Sequence, residues 1–118
     1  MNLDKWTKKE KIVAKRAFDN AYRKECKEII NKIREIANDA SEPDDIWRLC
    51  DFLDEKSKEI GIKYDYRYSV LIPVFARLLK EGWITVGDLE GLKEDKLKRI
   101  RYLRSAFEQR TGNESLKT

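Results

Sequence analysis

The side chains that most often carry acid–base and metal chemistry are scarce in this sequence. Histidine is absent from all 118 residues, which removes the commonest general base and transition-metal ligand. The two cysteines, Cys26 and Cys50, form no Cys-x-x-Cys motif, and the sequence contains no glycine-rich phosphate-binding motif. We therefore expect no enzyme activity, no metal site and no cofactor.

Two charged clusters remain as candidate sites. Asp51, Asp54 and Glu55 lie on neighbouring turns of a predicted helix, where carboxylates are usually a solvated face. A basic strip with Tyr102 among its cations could contact phosphates: Lys93, Lys96, Lys98, Arg99, Arg101 and Arg104. Cations are also favoured near the carboxyl end of any helix. Nucleic-acid binding is therefore the weaker interpretation, and we expect packing rather than base stacking of Tyr64, Tyr66 and Tyr68.

The elements that must position these residues are helices. Thr7 followed by Glu10 has the form of a capping box, and no glycine or proline interrupts the chain from there to Ala40. The apolar residues recur at steps of four and three: Phe18, Tyr22, Cys26, Ile29, Ile33, Ile36 and Ala40. A helix of this length spans roughly 50 Å, which exceeds the core of so short a chain. We expect a second copy to cover Ile29, Ile33, Ile36 and Ala40, giving a homodimer.

Shorter helices follow. Pro43 with Asp44 and Asp45 starts a second helix; Gly61 is expected to end it, and its predicted buried stripe is Ile46, Leu49, Cys50, Leu53 and Ile60. A third helix ends at Gly82, with Pro73 either in its opening turns or at a kink. Thr85 and Asp88 open a short fourth helix around Leu89, and the last runs from Glu94 to Arg110.

These elements predict one all-α domain at residues 1–112. Residues of about 7–60 would form extended dimerising helices, residues of about 64–110 a helical head, and residues 113–118 a flexible tail. The net charge is +4, with 41% charged residues of interspersed sign, and the longest apolar run, residues 70–79, is too short to span a membrane. The two unclustered cysteines favour small hydrophobic roles in a reducing cytoplasm.

Most of the chain resembles the fluorescence recovery protein family of cyanobacteria. The matching segments include, in chain order, Ala21-Tyr22-Arg23, Trp47, Asp51-Phe52-Leu53, Lys63-Tyr64-Asp65 and Leu78-Leu79-Lys80-Glu81-Gly82. The resemblance implies an all-α dimer with an extended tail and a small head. Members of that family bind photoactivated orange carotenoid protein, mainly through its carboxyl-terminal domain, and accelerate its return to the resting form without a cofactor.

By position, the resemblance places partner-binding residues at Trp47, Asp51, Lys56 and Arg99, and Trp47 is also expected at the dimer interface. Three family positions are altered, since a histidine is replaced by Cys50, an arginine by Ser57 and a phenylalanine by Pro73. A serine cannot imitate the five-donor arginine cation. Two protein-binding functions therefore stay open: a regulator of orange carotenoid protein, or a divergent relative acting on another, unknown protein.

Overall fold

The chain folds into helices joined by short connections. The computed structural model describes the backbone of residues 5–116 and the side chains of residues 5–108. The elements are α1 (Lys8–Asp39), α2 (Pro43–Lys63), α3 (Leu71–Glu81), a 3₁₀ helix (Val86–Leu89) and α4 (Glu94–Leu116). The predicted all-α class and the long first helix, which has 32 residues, are confirmed.

The first two helices form an antiparallel hairpin. The predicted capping box starts α1, because Thr7 accepts from the Glu10 amide and Glu10 accepts from the Thr7 amide. At the turn, the Asp45 carboxylate accepts from the amides of Ser41 and Glu42 at 3.0 Å each. These hydrogen bonds hold the pKa of Asp45 below its usual range and fix the entry into α2.

The second helix differs from its prediction in two ways. It continues past Gly61 to Lys63, because Lys63 is held in a buried ion-pair network described below. Its predicted buried stripe is largely uncovered: Ile46, Cys50 and Leu53 are exposed, while Leu49 and Ile60 are half-buried. Among the α2 side chains, all of which are described, only Lys63 is buried.

The shorter helices follow their predicted start signals. Because α3 begins at Leu71, Pro73 lies in its opening turn, where the missing N–H costs no helical hydrogen bond. Gly82 ends α3 with φ at +85°, and Thr85 and Asp88 form a second capping box. Helix α4 continues beyond the predicted end at Arg110 to Leu116. Residues 117–118 lie outside the described range, and flexibility of residues 113–118 stays a prediction.

The hydrophobic core joins the first half of α1 to the elements after residue 70. It consists of Trp6, Val13, Ala14, Ala17, Phe18, Ala21, Leu71, Ile72, Phe75, Ala76, Leu78, Leu79, Ile84, Leu89, Leu92 and Ile100. The first half of α1, assigned from the sequence to the extended part, thus packs in the head. The hairpin formed by the second half of α1 and α2 projects from it, and the longest dimension of the molecule is 57 Å.

Candidate protein-interaction surface

The hairpin carries large apolar side chains that its own chain leaves in water. We call Ile30, Ile46, Trp47 and Leu53 the hairpin face; their exposed fractions are 46%, 55%, 62% and 40%. Two antiparallel helices can shield only the strip along which they touch, so side chains beside that strip remain open. Several large apolar side chains exposed on one hairpin are a feature typical of protein-binding sites.

The residues predicted to form the dimer interface on α1 lie beside the hairpin face. Ile29, Ile33, Ile36 and Ala40 are half-buried, at the same three- and four-residue spacing as the half-buried residues of α2. Ile29 lines a shallow pocket together with Phe52 and Trp83, so α2 of the same chain covers part of this stripe. The line formed by Ile29, Ile33, Ile36 and Ala40 is therefore partly covered within one chain, and its role in a dimer stays a prediction.

The residues placed by family resemblance do not form one cluster. Trp47 and Asp51 are four residues apart, which puts them on the same exposed side of α2, and the altered positions Cys50 and Ser57 share that side by helical spacing. This side is about half a turn away from the half-buried line Leu49, Phe52, Lys56 and Ile60 that lies toward α1.

Lys56 and Arg99 lie elsewhere. Lys56 pairs with Glu59 at 3.2 Å, and its ammonium lies 5.8 Å from the centre of the Phe52 ring. Arg99 is on α4, in the head, with its guanidinium 5.2 Å from the Tyr102 ring centre. Pro73 is exposed at the start of α3. The candidate site is therefore centred on α2, and the role of each of these residues stays a prediction.

A buried ionic junction fixes the hairpin to the head. The Lys63 ammonium at the end of α2 donates to Glu25 of α1 and to Glu81 of α3, both at 2.6 Å, and Tyr64 donates to Glu25 at 2.8 Å. Lys63 is 5% exposed and Glu25 is 6% exposed. Because a buried charge is tolerated only when it is paired and hydrogen-bonded, this set of contacts sets where the hairpin leaves the head.

The electrostatics of the junction favour its charged, bonded form. Burial alone would raise the pKa of Glu81, but its hydrogen bonds and charge interactions with Lys63 and Arg77 outweigh that effect and lower the pKa. Burial, followed by the hydrogen bond to Glu25, raises the pKa of Tyr64 well above its ordinary value. The Tyr64 phenol therefore stays protonated as a donor, and the Glu81 carboxylate stays ionised as an acceptor from Lys63 and Arg77.

A second buried pair fastens the start of α1 to the start of α4. Glu10, besides its capping role, accepts from the Lys93 amide at 3.0 Å and pairs with Lys96 at 3.3 Å. Lys96 also donates to the Lys5 carbonyl at 2.7 Å, and both Glu10 and Lys96 are 1% exposed. Burial opposes ionisation of Glu10, yet these hydrogen bonds and the Lys96 charge lower its pKa.

Sequence reasoning missed both ion pairs. Glu25 and Lys63 are 38 residues apart, and Glu10 and Lys96 are 86 residues apart, so no local pattern connects the partners. One signal was available for Lys63, which extends the line Leu49, Phe52, Lys56, Ile60 on the inner side of α2. A charged residue that continues an inward-facing line needs a buried counter-charge.

Metal and membrane functions gain no support from the described residues. Among them, no group of three or more histidine, cysteine, aspartate or glutamate side chains is arranged to hold a metal ion. None of the described helices combines the length and the apolar character required to cross a bilayer.

The helical fold and the exposed hairpin define a small all-α protein with uncovered apolar side chains on its surface. The chain belongs to the family described as photoprotection regulator fluorescence recovery protein, which matches residues 6–104. The fluorescence recovery protein of Synechocystis sp. (strain ATCC 27184 / PCC 6803 / Kazusa) is 40% identical over 98 residues, which are 83% of this chain and 90% of that protein.

Solved structures agree with this assignment. The fluorescence recovery protein of Fremyella diplosiphon is 47% identical and superposes with a TM-score of 0.80, covering 84% of this chain and 97% of that one. The structure of the Synechocystis sp PCC 6803 protein gives the same TM-score and coverage at 39% identity. The predicted family resemblance is confirmed, and the family is one of photoprotection regulators.

Proposed function

We propose that this chain is a non-enzymatic, homodimeric, cytoplasmic regulator that binds photoactivated orange carotenoid protein and accelerates its return to the resting form. The observation that carries the proposal is the exposure of Trp47 beside Asp51 on the outer side of α2, in a chain that belongs to the fluorescence recovery protein family. Tryptophan is among the residue types most enriched at the energetic hot spots of protein interfaces.

The proposed mechanism is differential binding. A protein hastens the relaxation of its partner only if it binds the transition state of that relaxation more tightly than the starting state. The hairpin is suited to this task because its direction is fixed by the ionic junction at Glu25, Lys63 and Glu81. Two rigidly placed hairpins in a dimer would hold surfaces of the partner in the orientation that favours closure.

The experiment that tests this proposal is the recovery rate of photoactivated orange carotenoid protein in the dark, followed by its colour change. Excess chain should accelerate recovery, and Trp47→Ala should reduce the acceleration by at least about tenfold, since an interface anchor contributes on the order of 2 kcal/mol. Ile62→Ala is a matched control. Ile62 is 75% exposed on the same helix, about four turns closer to the head.

The alternative partner is tested by the same measurement. If an excess of the unmodified chain does not change the recovery rate, the proposed activity on orange carotenoid protein is contradicted and a different protein partner is favoured. In that case Ser57→Arg is the informative variant, because it restores the cation that the family resemblance implies at this position. Acceleration by Ser57→Arg alone would identify the altered docking surface as the cause.

Nucleic-acid binding is a weaker alternative because three of the six cations in its basic strip are paired with carboxylates. Lys96 is buried against Glu10, Arg101 pairs with Glu94 at 2.8 Å, and Arg104 pairs with Glu108 at 3.2 Å. Cations engaged in this way offer fewer contacts to phosphates. Tight binding to DNA at low salt that weakens steeply as salt rises would revive this alternative.

A further inference from the structure

A cleft on the head, away from the hairpin face, concentrates positive charge. It lies between the first turns of α1 and the segment after α2, and its volume is about 490 Å³. We call it the basic cleft, and its lining residues are Lys8, Lys11, Ile12, Lys15, Arg16, Asp19, Tyr66 and Tyr68. Its α1 residues recur at alternating steps of three and one, so they form one continuous side of the helix.

The charge of the basic cleft is poorly balanced. Four of its side chains are cations and one is a carboxylate, while the whole chain carries a net charge of only +4. Asp19 pairs with Lys15 at 3.2 Å, and within the described part of the chain Lys8, Lys11 and Arg16 make no ion pair. The cleft therefore has an excess of three positive charges that attract an anionic group.

An apolar side chain lies at the centre of these cations. Ile12 is 59% exposed, and it is preceded one turn earlier by Lys8 and followed one turn later by Lys15 and Arg16. A ligand that covers Ile12 and also meets the cations must combine an apolar group with anionic groups on both sides. Such a pattern is typical of an acidic peptide segment with a leucine-like side chain.

The tyrosine wall of the cleft is held by packing against other aromatic rings, and a lysine ammonium lies over each of its two rings. Tyr68 packs on Trp6 with ring centroids 5.7 Å apart, and Tyr66 packs edge-on against Phe18 at 4.9 Å. The Lys11 ammonium lies 5.1 Å from the Tyr68 ring centre, and the Lys15 ammonium lies 4.8 Å from that of Tyr66. Nucleic-acid bases would have to displace these cations to stack, which favours a protein ligand.

We propose that the basic cleft is a second binding site that takes an acidic segment of a protein partner, with an aliphatic side chain on Ile12 and carboxylates on the surrounding cations. Charge complementarity supplies the attraction, and the pre-packed tyrosine wall keeps the ordering cost low. The site is separate from Trp47 and the hairpin face, so it does not depend on the activity proposed above.

The test is a titration of the ¹⁵N-labelled full chain at low ionic strength, followed by amide chemical shifts. The probe is a synthetic peptide of about 12 residues in which four glutamates surround one leucine, and the matched probe replaces the glutamates with glutamines. The acidic peptide should shift the amides of residues 8–19 and 66–68. The glutamine peptide should bind at least about tenfold more weakly, and added salt should weaken the acidic complex.

Variants assign the binding to the cleft. The pair Lys11→Gln with Lys15→Gln should weaken the acidic peptide by about tenfold, and Ile12→Ser should weaken it by about fivefold without a change of charge. The control pair, Lys24→Gln with Lys27→Gln, removes two exposed charges from the second half of α1 and should change the affinity by less than about twofold.

Three outcomes would overturn the inference. Equal weakening by the control pair would show that the peptide responds only to net charge, and shifts confined to other residues would show that it binds outside the cleft. An oligothymidylate with four phosphates that binds the cleft as tightly as the acidic peptide would make it a nucleic-acid site. Because these readouts do not involve orange carotenoid protein, failure here leaves the function proposed for the hairpin face untouched.

Discussion

The head and the hairpin differ in how far their own chain covers their apolar side chains, and one helix passes through both. In its first half, α1 buries Val13, Ala14, Ala17, Phe18 and Ala21. From Tyr22 onward, the same helix buries no apolar residue, and Glu25 is its one buried side chain. The periodicity is alike in both halves, so the difference comes from what lies opposite: three packed elements in the head, and a single helix along the hairpin.

This contrast indicates that the head supplies the stability of the single chain, whereas the hairpin is available for binding. The head has a closed core, so its folding should not depend on protein concentration. The hairpin has an open apolar side, so its own stability gains from whatever covers that side. Substitutions in the two regions should therefore respond differently to dilution and to a partner.

The largest expected effect is a decrease in the free energy of unfolding of the head caused by Phe75→Ala. Phe75 is fully buried, and truncating a buried phenylalanine costs about 3–5 kcal/mol of unfolding free energy through lost burial and a cavity. Chemical denaturation at several protein concentrations measures this. The exposed head residue Ile12 provides the control, since Ile12→Ala should change stability by less than about 0.5 kcal/mol. A comparable loss for both variants would contradict the closed core.

The second largest effect is expected from a variant that breaks the ionic junction between the head and the hairpin. Lys63→Met keeps the aliphatic stem but leaves Glu25 and Glu81 without their shared cation. Removing one partner of a buried ion pair costs about 3–5 kcal/mol, and the partial exposure of the Glu81 side chain, 29%, places this case near the lower bound. Circular dichroism during urea unfolding gives the value.

The double variant is the control for this prediction. Adding Glu25→Gln to Lys63→Met should recover part of the lost stability, because it removes the buried charge that was left unpaired. If the double variant is less stable than Lys63→Met by the full cost of a second substitution, Glu25 and Lys63 do not interact and do not form the junction.

Local signals in the sequence predicted the helix starts well. The Thr7–Glu10 and Thr85–Asp88 capping boxes, and Gly82 at the end of α3, each act within a few residues, so a one-dimensional pattern contains them. The prediction that Gly61 ends α2 was wrong. A glycine inside a helix costs only about 1 kcal/mol, and the contacts of Lys63 two residues later keep the helix going.

The candidate site was only partly predictable for a physical reason. A helical stripe shows that apolar residues share a side, but it does not show which element covers them. Ile46 and Leu53 were expected to be buried and are exposed, while Lys63 and Lys96 are charged and buried. The ion-pair partners of Lys63 and Lys96 lie tens of residues away in the chain, so they can be identified only from the packing of the helices.

The open side of the hairpin gives a third prediction, in which Ile46→Glu separates the proposed dimer. A carboxylate placed in an apolar interface is buried unpaired, and a loss of about 100-fold in dimer affinity corresponds to roughly 2.7 kcal/mol. Light scattering over a dilution series measures the mass. Because Ile46 is 55% exposed in one chain, the head should remain folded.

Ile33→Glu and Ile36→Glu should also separate the dimer, but these half-buried residues also pack within their own hairpin. Ile46→Glu is therefore the cleaner variant, and Ile33→Glu should additionally lower the unfolding free energy at high dilution. An unchanged dimer mass for all three variants would remove the second half of α1 and the start of α2 from the interface.

The smallest effect compares two glycines, one in each region. Gly61 lies inside α2, where an added Cβ would meet no other group within 4 Å, so Gly61→Ala should stabilise the chain by about 0.5–1 kcal/mol through its helix propensity. Gly91 in the head has φ at +112°, and a Cβ there would lie 2.8 Å from Val13. Gly91→Ala should therefore destabilise by about 1–3 kcal/mol.

Thermal melting of the two variants at low protein concentration tests whether Gly61→Ala stabilises the chain and Gly91→Ala destabilises it. Repeating the Gly61→Ala melt at high concentration tests whether a second chain packs near this residue. Gly61 lies on the same side of α2 as Trp47 by helical spacing. If a second chain packs closely at that turn, the added methyl group should offset the gain as dimer forms. A gain that is equal at both concentrations places the dimer contact nearer the Trp47 end of the hairpin, away from the head.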